Sequence, residues 1–151
     1  GDEPLARVVA RLLKRELTTE LNELLDAIRT RSPSALGELL PEPEAHVERY
    51  ASAVAPRLAD AGVTGAEQAA AELAAEIVGP LRSDLSAVLA AAAVSADSDA
   101  VIDEVSEALR CCFRRVRREQ VDAAVACARL ETPSGSSVTG SVRCPPEGSL
   151  T

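Results

Sequence analysis

Three sets of side chains in this sequence have the types and spacing that chemistry needs: a row of carboxylates, a group of cysteines and a run of arginines. Glu16, Glu20 and Glu23 recur at intervals of four and three, which stacks them on one side of a helix. Di-metal carboxylate bundles use residues placed in this way but add Glu-x-x-His pairs. Here His46 is the one histidine and has no such pair. The stretch EALRCCFRRVRREQVDAAVACA, residues 107–128, holds three of the four cysteines. On a helix, Cys111 and Cys112 point about 100° apart and Cys127 lies about four turns further on. Zinc wants four convergent ligands, and no C-x-x-C pair occurs. The expectation is that Cys112 and Cys127 are small core residues, with Cys111 at the core's edge and Cys144 a free thiol. No native disulfide is expected in the cytoplasmic setting argued below.

The remaining candidates fare no better. The stretch DSDAVIDE fails as a calcium loop, because Val101 stands where an oxygen ligand is needed and neither a Gly nor a closing Glu follows. The sequence has no nucleophile elbow, phosphate-binding glycine loop or H-E-x-x-H motif. His46 reads as a surface residue near a helix start and Tyr50 as a core aromatic. No catalytic residue, cofactor, metal or small-molecule ligand is nominated, and the chain is read as a non-enzyme.

The five arginines of residues 110–118 sort differently. A wheel centred on Cys112, at about 100° per residue, groups Val105, Leu109, Cys112, Val116, Ala123 and Cys127 on one face, which is the expected core side. Arg110, Arg114, Arg117 and Arg118 fall opposite. Three readings of that stripe stand: a solvated face, a docking surface for an acidic protein, or a nucleic-acid contact. Val121 and Val125 continue the arginine side on the same wheel. Apolar residues on both faces imply two covers, supplied by the chain's own middle helices or by a second subunit. The pair is taken as partner-facing.

The elements that must position these residues are helical. Leu5, Val9, Leu13, Leu17, Leu21, Leu24 and Ile28 form a stripe that predicts one helix from Pro4 to about Arg31. A short turn or helical piece follows at residues 35–40. A second helix starts near Glu42, with Val47, Tyr50, Val54 and Leu58 buried and Gly62 as its cap. Thr64 and Glu67 have the spacing of a capping box before an alanine-rich helix with Leu73, Ile77, Leu81, Leu85 and Val88/Leu89 as its stripe. Pro56 and the Gly79-Pro80 pair are expected to break or kink their helices. Ser98 is the expected N-cap of a last helix over about 99–129. The first and last helices are expected to be straight and longest. The fold class is therefore all-α: a kinked up-and-down bundle of about four long helices over residues 1–131, with a disordered Gly/Ser/Pro-rich tail at 132–151.

Composition agrees and sets bounds. The 151 residues are 46% hydrophobic but only 1% aromatic, without Met or Trp, so alanine makes a helical but thin core. A formal net charge of −8 disfavours general nucleic-acid or anionic-membrane affinity. No apolar run reaches the roughly 18 residues of a membrane span, and GDEPLARVV lacks a signal peptide's layout. A cytoplasmic protein without membrane insertion is expected.

The stretch KRELTTELNELLD, residues 14–26, resembles the pattern K-R-x-L-x-x-E-Q-N-x-x-L-D in the C-terminal helical region of bacterial DivIVA-domain, cell-division-initiation-like proteins. Lys14, Arg15, Leu17, Glu20, Asn22, Leu25 and Asp26 match, and Leu21 replaces the usual Gln. FRRVRREQVDAA resembles a degraded form of that region's aromatic-R-x-W-K-x-x-x-I motif. Phe113, Arg114, Arg117 and Val121 match in kind, with Val116 in place of Trp. Members of the class often continue into a tail like that of phage Mu F-type head-morphogenesis proteins, of which RCPPEGSLT would be a remnant. The resemblance covers about residues 5–128. The resemblance implies a helical scaffold module, not an enzyme. The long striped helix, the thin core and the lack of an active site add self-association, and the expected role is a protein–protein interaction or scaffold module linked to cell division or envelope growth. A prophage-derived head-morphogenesis or portal adaptor is the alternative.

Overall fold

A computed structural model of the chain describes residues 3–30, 33–94, 98–128 and 130. Five α-helices, α1 (Leu5–Ile28), α2 (Pro43–Asp60), α3 (Ala66–Ala93), α4 (Ser98–Arg115) and α5 (Val121–Cys127), are accompanied by a 3₁₀ segment at Pro33–Leu39. A π-helical segment, Val116–Gln120, joins α4 to α5, so that they form one long rod. No strand occurs among the described residues. The protein is an all-α helical bundle.

The bundle closes as a ring. α1 packs on α2, α2 on α3, α3 on α4, and the α4–α5 rod returns to α1. Lys14 reaches Asp122, and Arg117 reaches Thr18, so α1 and the rod run antiparallel. The predicted stripes form the core: Val9, Leu13, Leu17, Leu24 and Ile28 from α1, and Leu73, Ile77, Leu81, Leu85 and Leu89 from α3. Both aromatic side chains, Tyr50 and Phe113, are buried among them. No described helix is long and apolar enough to cross a membrane.

The ends of the helices follow local chemistry. Pro4 stands just before α1 and its carbonyl accepts from Arg7 and Val8. α1 stops at Ile28, three residues short of the expected Arg31. Gly62 caps α2 as expected. Its positive φ of 79° lets Val63 donate back to Leu58 and Gly62 to Ala59, closing the last turn. The Thr64 capping box does not form. Gly65 holds the cap position with φ 64° and no side-chain cap bond is made.

Neither internal proline splits its helix. α2 runs through Pro56 and α3 through Pro80, so the Gly79-Pro80 pair lies within one helix of 28 residues. A proline removes the bond to the carbonyl four residues back. Those carbonyls belong to Ser52 and Glu76, both on exposed positions, the side of the helix on which solvent can take the place of a lost donor. The first and last helices are therefore not the exceptional ones: α3 is longer than the 24-residue α1, and the last is interrupted by its π segment. The predicted tail at 132–151, with Cys144, lies outside the described residues.

Candidate functional site

The row Glu16–Glu20–Glu23 meets a second row on α2. His46, Arg49 and Tyr50 stand at intervals of three and one, hence on one face of that helix. Arg49 Nε donates to Glu16 at 2.8 Å, and its Nη1 and Nη2 donate to Glu23 at 2.8 and 3.1 Å. Between them sits Glu20, 3% exposed. It accepts from the Tyr50 hydroxyl and from His46 Nε2, 2.8 Å from Oε2. On the far side of the ring, Arg82 of α3 lies 3.2 Å from His46 Nδ1 and also donates to the Pro41 carbonyl. Arginine only donates. His46 Nδ1 is therefore the acceptor, and the ring proton is on Nε2, directed at Glu20.

This arrangement ties three helices through one buried carboxylate. Burial and the adjacent Glu20 charge push the Tyr50 hydroxyl's pKa well above its ordinary value. Burial opposes the charge on Arg49, but its bonds to Glu23 and Glu16 outweigh this and raise its pKa. Every buried side-chain nitrogen and oxygen among the described residues has a partner. His46 is 1% exposed, so the expectation of a surface histidine is corrected: helix pairing turns it inward to Glu20. No group of three or more His, Cys, Asp or Glu among the described residues is placed to hold a metal ion.

The arginine stripe emerges in part as expected. Arg114 and Arg118 are exposed, while Arg110 and Arg117 are half-buried. Arg110 faces Glu107 at 3.8 Å, and Arg117 donates to Thr18 Oγ1 at 3.1 Å. Arg115, outside the predicted stripe, bonds Asp84 of α3, and this bond raises its pKa. Leu109, Cys112 and Val116 are buried, as the wheel requires.

Beyond Val116 the wheel fails. Val121 is 0% and Val125 5% exposed; α5 packs against α1 and α3, so the chain's own helices cover the pair that was expected to face a partner. The cause is the π segment. Its wider turn delays the phase of everything after it, moving Val121, Ala124 and Val125 inward and Ala123 outward. Cys127 turns with them and is half-buried instead of core. It is also disulfide-bonded, against the expectation of reduced thiols, whereas Cys111 and Cys112 are free.

Two apolar grooves open on the surface. One, about 350 Å³, lies between the end of α3 and the start of α4, with Ala91, Val101 and Ala108 in its wall and Glu104 at its rim. The other, about 580 Å³, lies between α1 and α5. Its floor includes Ala6, Ala10 and Val125 and its rim Arg7, Arg11 and Lys14. Alanine at these positions leaves the backbones close and the surface concave.

The chain matches no protein-family model, no curated protein and no solved structure.

Proposed function

We propose that the protein is a non-catalytic helical interaction module that associates with copies of itself. The observation that carries this reading is the pair of open, alanine- and valine-lined grooves. Apolar concavities on a soluble helical surface fit the side chains of a partner helix. The side chains best suited to acid–base work, Glu20, His46 and Tyr50, support the same reading. They are sealed from solvent and spend their hydrogen bonds on one another. The resemblance to DivIVA-type helical regions is compatible, since the two segments that carry it, residues 14–26 and 113–121, touch through Thr18 and Arg117. On this reading the module serves as a scaffold element in bacterial division or envelope growth.

Sedimentation velocity across a wide concentration range tests the proposal. Mass above the monomer that rises with concentration is expected. A strict monomer at the highest concentration overturns self-association.

A further inference from the structure

The two grooves differ in the sign of their rims. Residues 85–108 contain five acids and no base, and of these Glu104 is exposed at the α3–α4 groove and enters no ion pair among the described residues. The α1–α5 groove is bordered by Arg7, Arg11 and Lys14. Glu3 pairs with Arg11 and Asp122 with Lys14, but Arg7 enters no ion pair, and Arg15 one turn from Arg11 is likewise exposed and without one. The acidic groove is centred near residue 104 of the α4–α5 rod and the basic one near residue 124. About 20 residues at 1.5 Å each place them roughly 30 Å apart, at opposite ends of one helical rod.

A third feature belongs to the acidic end. Val94, at the end of α3, is 85% exposed, and it is the exposed large hydrophobic side chain of the described residues. It is an apolar knob where α3 turns towards α4. The other end offers an apolar floor flanked by bases.

We infer that a second copy of this chain docks its α3–α4 corner, led by Val94, into the α1–α5 groove, with Glu104 of one copy meeting the Arg7 side of the next. This rests on the self-association reading and specifies its geometry. A two-fold contact of basic groove on basic groove would set the unpaired Arg7 against its own image, which is repulsive. Acid end on acid end suffers in the same way. Corner into groove satisfies both ends; used in one direction it repeats head to tail from copy to copy, and used reciprocally it closes a two-fold dimer.

Charge reversal tests it without touching the core. Arg7→Glu/Arg11→Glu spoils the groove, and Val94→Asp/Glu104→Arg spoils the corner. Circular dichroism confirms that each stays helical. In low salt the wild-type chain should form a concentration-dependent series of species that shortens as salt is added. Each variant alone should be monomeric, because a repeating contact needs both ends. Mixed in equal amounts, the two should form a 1:1 dimer and nothing larger, since only one good groove and one good corner remain in the pair. If the wild type associates and the variants associate equally well, the proposed docking is overturned while self-association stands. If the wild type halts at a dimer, the two ends meet reciprocally about a two-fold axis and the repeating geometry is overturned. If the wild type is monomeric at low salt, both readings fall together.

Discussion

The Val121 amide donates to the carbonyl of Val116, five residues back, where an α-helix would bond four back. That extra residue keeps both valines on the core side, at 1% and 0% exposure. One consequence is unusual for a helix interior. Deleting a single residue of the π segment should leave an α-helix whose apolar face still aligns. Arg118 is exposed and enters no ion pair among the described residues, so its deletion should change the melting temperature by only a few degrees. Deleting exposed Ala87 from the α-helical interior of α3 rotates every later residue by about 100° and should abolish cooperative melting. Thermal melts followed by circular dichroism decide it. Equal collapse of both deletion variants refutes the phase argument.

Substituting either valine with a charge should also unfold the chain. An unpaired charge at Val121 or Val116 costs several kcal/mol, comparable to the whole stability of a domain of this size. Val121→Asp and Val116→Asp should be equally damaging. Val121→Asp retaining a native helical signal would mean that the face is free after all.

The buried polar cluster makes the next prediction. Tyr50→Phe removes one of the donors on Glu20 and leaves a buried carboxylate short of a partner, at a cost of about 1–3 kcal/mol. Glu20→Ala removes the acceptor of both Tyr50 and His46 and should cost more, about 3–5 kcal/mol, as for breaking a buried pair. The two substitutions act on one network, so the double variant should cost less than the sum of the singles. Additive costs in urea melts would mean that the hydroxyl and the carboxylate are not coupled.

Burial of Tyr50, with the Glu20 charge beside it, sets an alkaline limit. Tyr50's pKa is raised in the folded chain, so above its unfolded value of about 10 the folded state holds a proton that the unfolded state has lost. Unfolding then releases a proton, and stability falls as pH rises. The contribution is whole below pH about 10 and disappears on the alkaline side. Cys112, whose pKa is raised by burial and then by Asp84, acts with the same sign, so the measurement belongs on a Cys112→Ala background. Tyr50 is the only tyrosine and Trp is absent, so the near-ultraviolet tyrosinate band reports this one group. It should appear only with unfolding. Tyrosinate formed near pH 10 in a fully helical chain would show that the hydroxyl is not buried beside Glu20.

Periodicity explains what the sequence revealed and what it hid. The stripes of α1 and α3 were legible because each apolar residue repeats at three or four positions along an unbroken helix. The π segment was not, because a one-residue phase slip leaves no residue type behind it; VRREQ reads like any charged helix surface. The carboxylate row was legible on α1, but its meaning lay on α2. A cue was present: Glu20 interrupts an apolar stripe between Leu17 and Leu24, and His46 and Tyr50 stand four apart. Which helix faces which is a tertiary fact, and spacing within one helix does not contain it. The Thr64 box failed for a different reason, because Gly65 adopts a backbone open to it alone and takes the cap position first.

The cysteines among the described residues give a last prediction, because the bundle puts them in three different states. Cys111 is exposed and its thiol lies 3.7 Å from Glu107. Cys112, next in sequence, is buried and free, and burial raises its thiol pKa, which lowers the reactive thiolate fraction. Cys127 is disulfide-bonded and gives no thiolate until reduced. Brief alkylation of the native chain followed by mass spectrometry should therefore modify Cys111 first. Cys112 should follow only under denaturant, and Cys127 only after a reductant. The order discriminates between two helical registers. With the rod rotated by one residue, about 100°, Cys111 would enter the core and Cys112 would label first. Equal labelling of Cys111 and Cys112 in the folded chain would show that the α4 face is not packed against α3 as described.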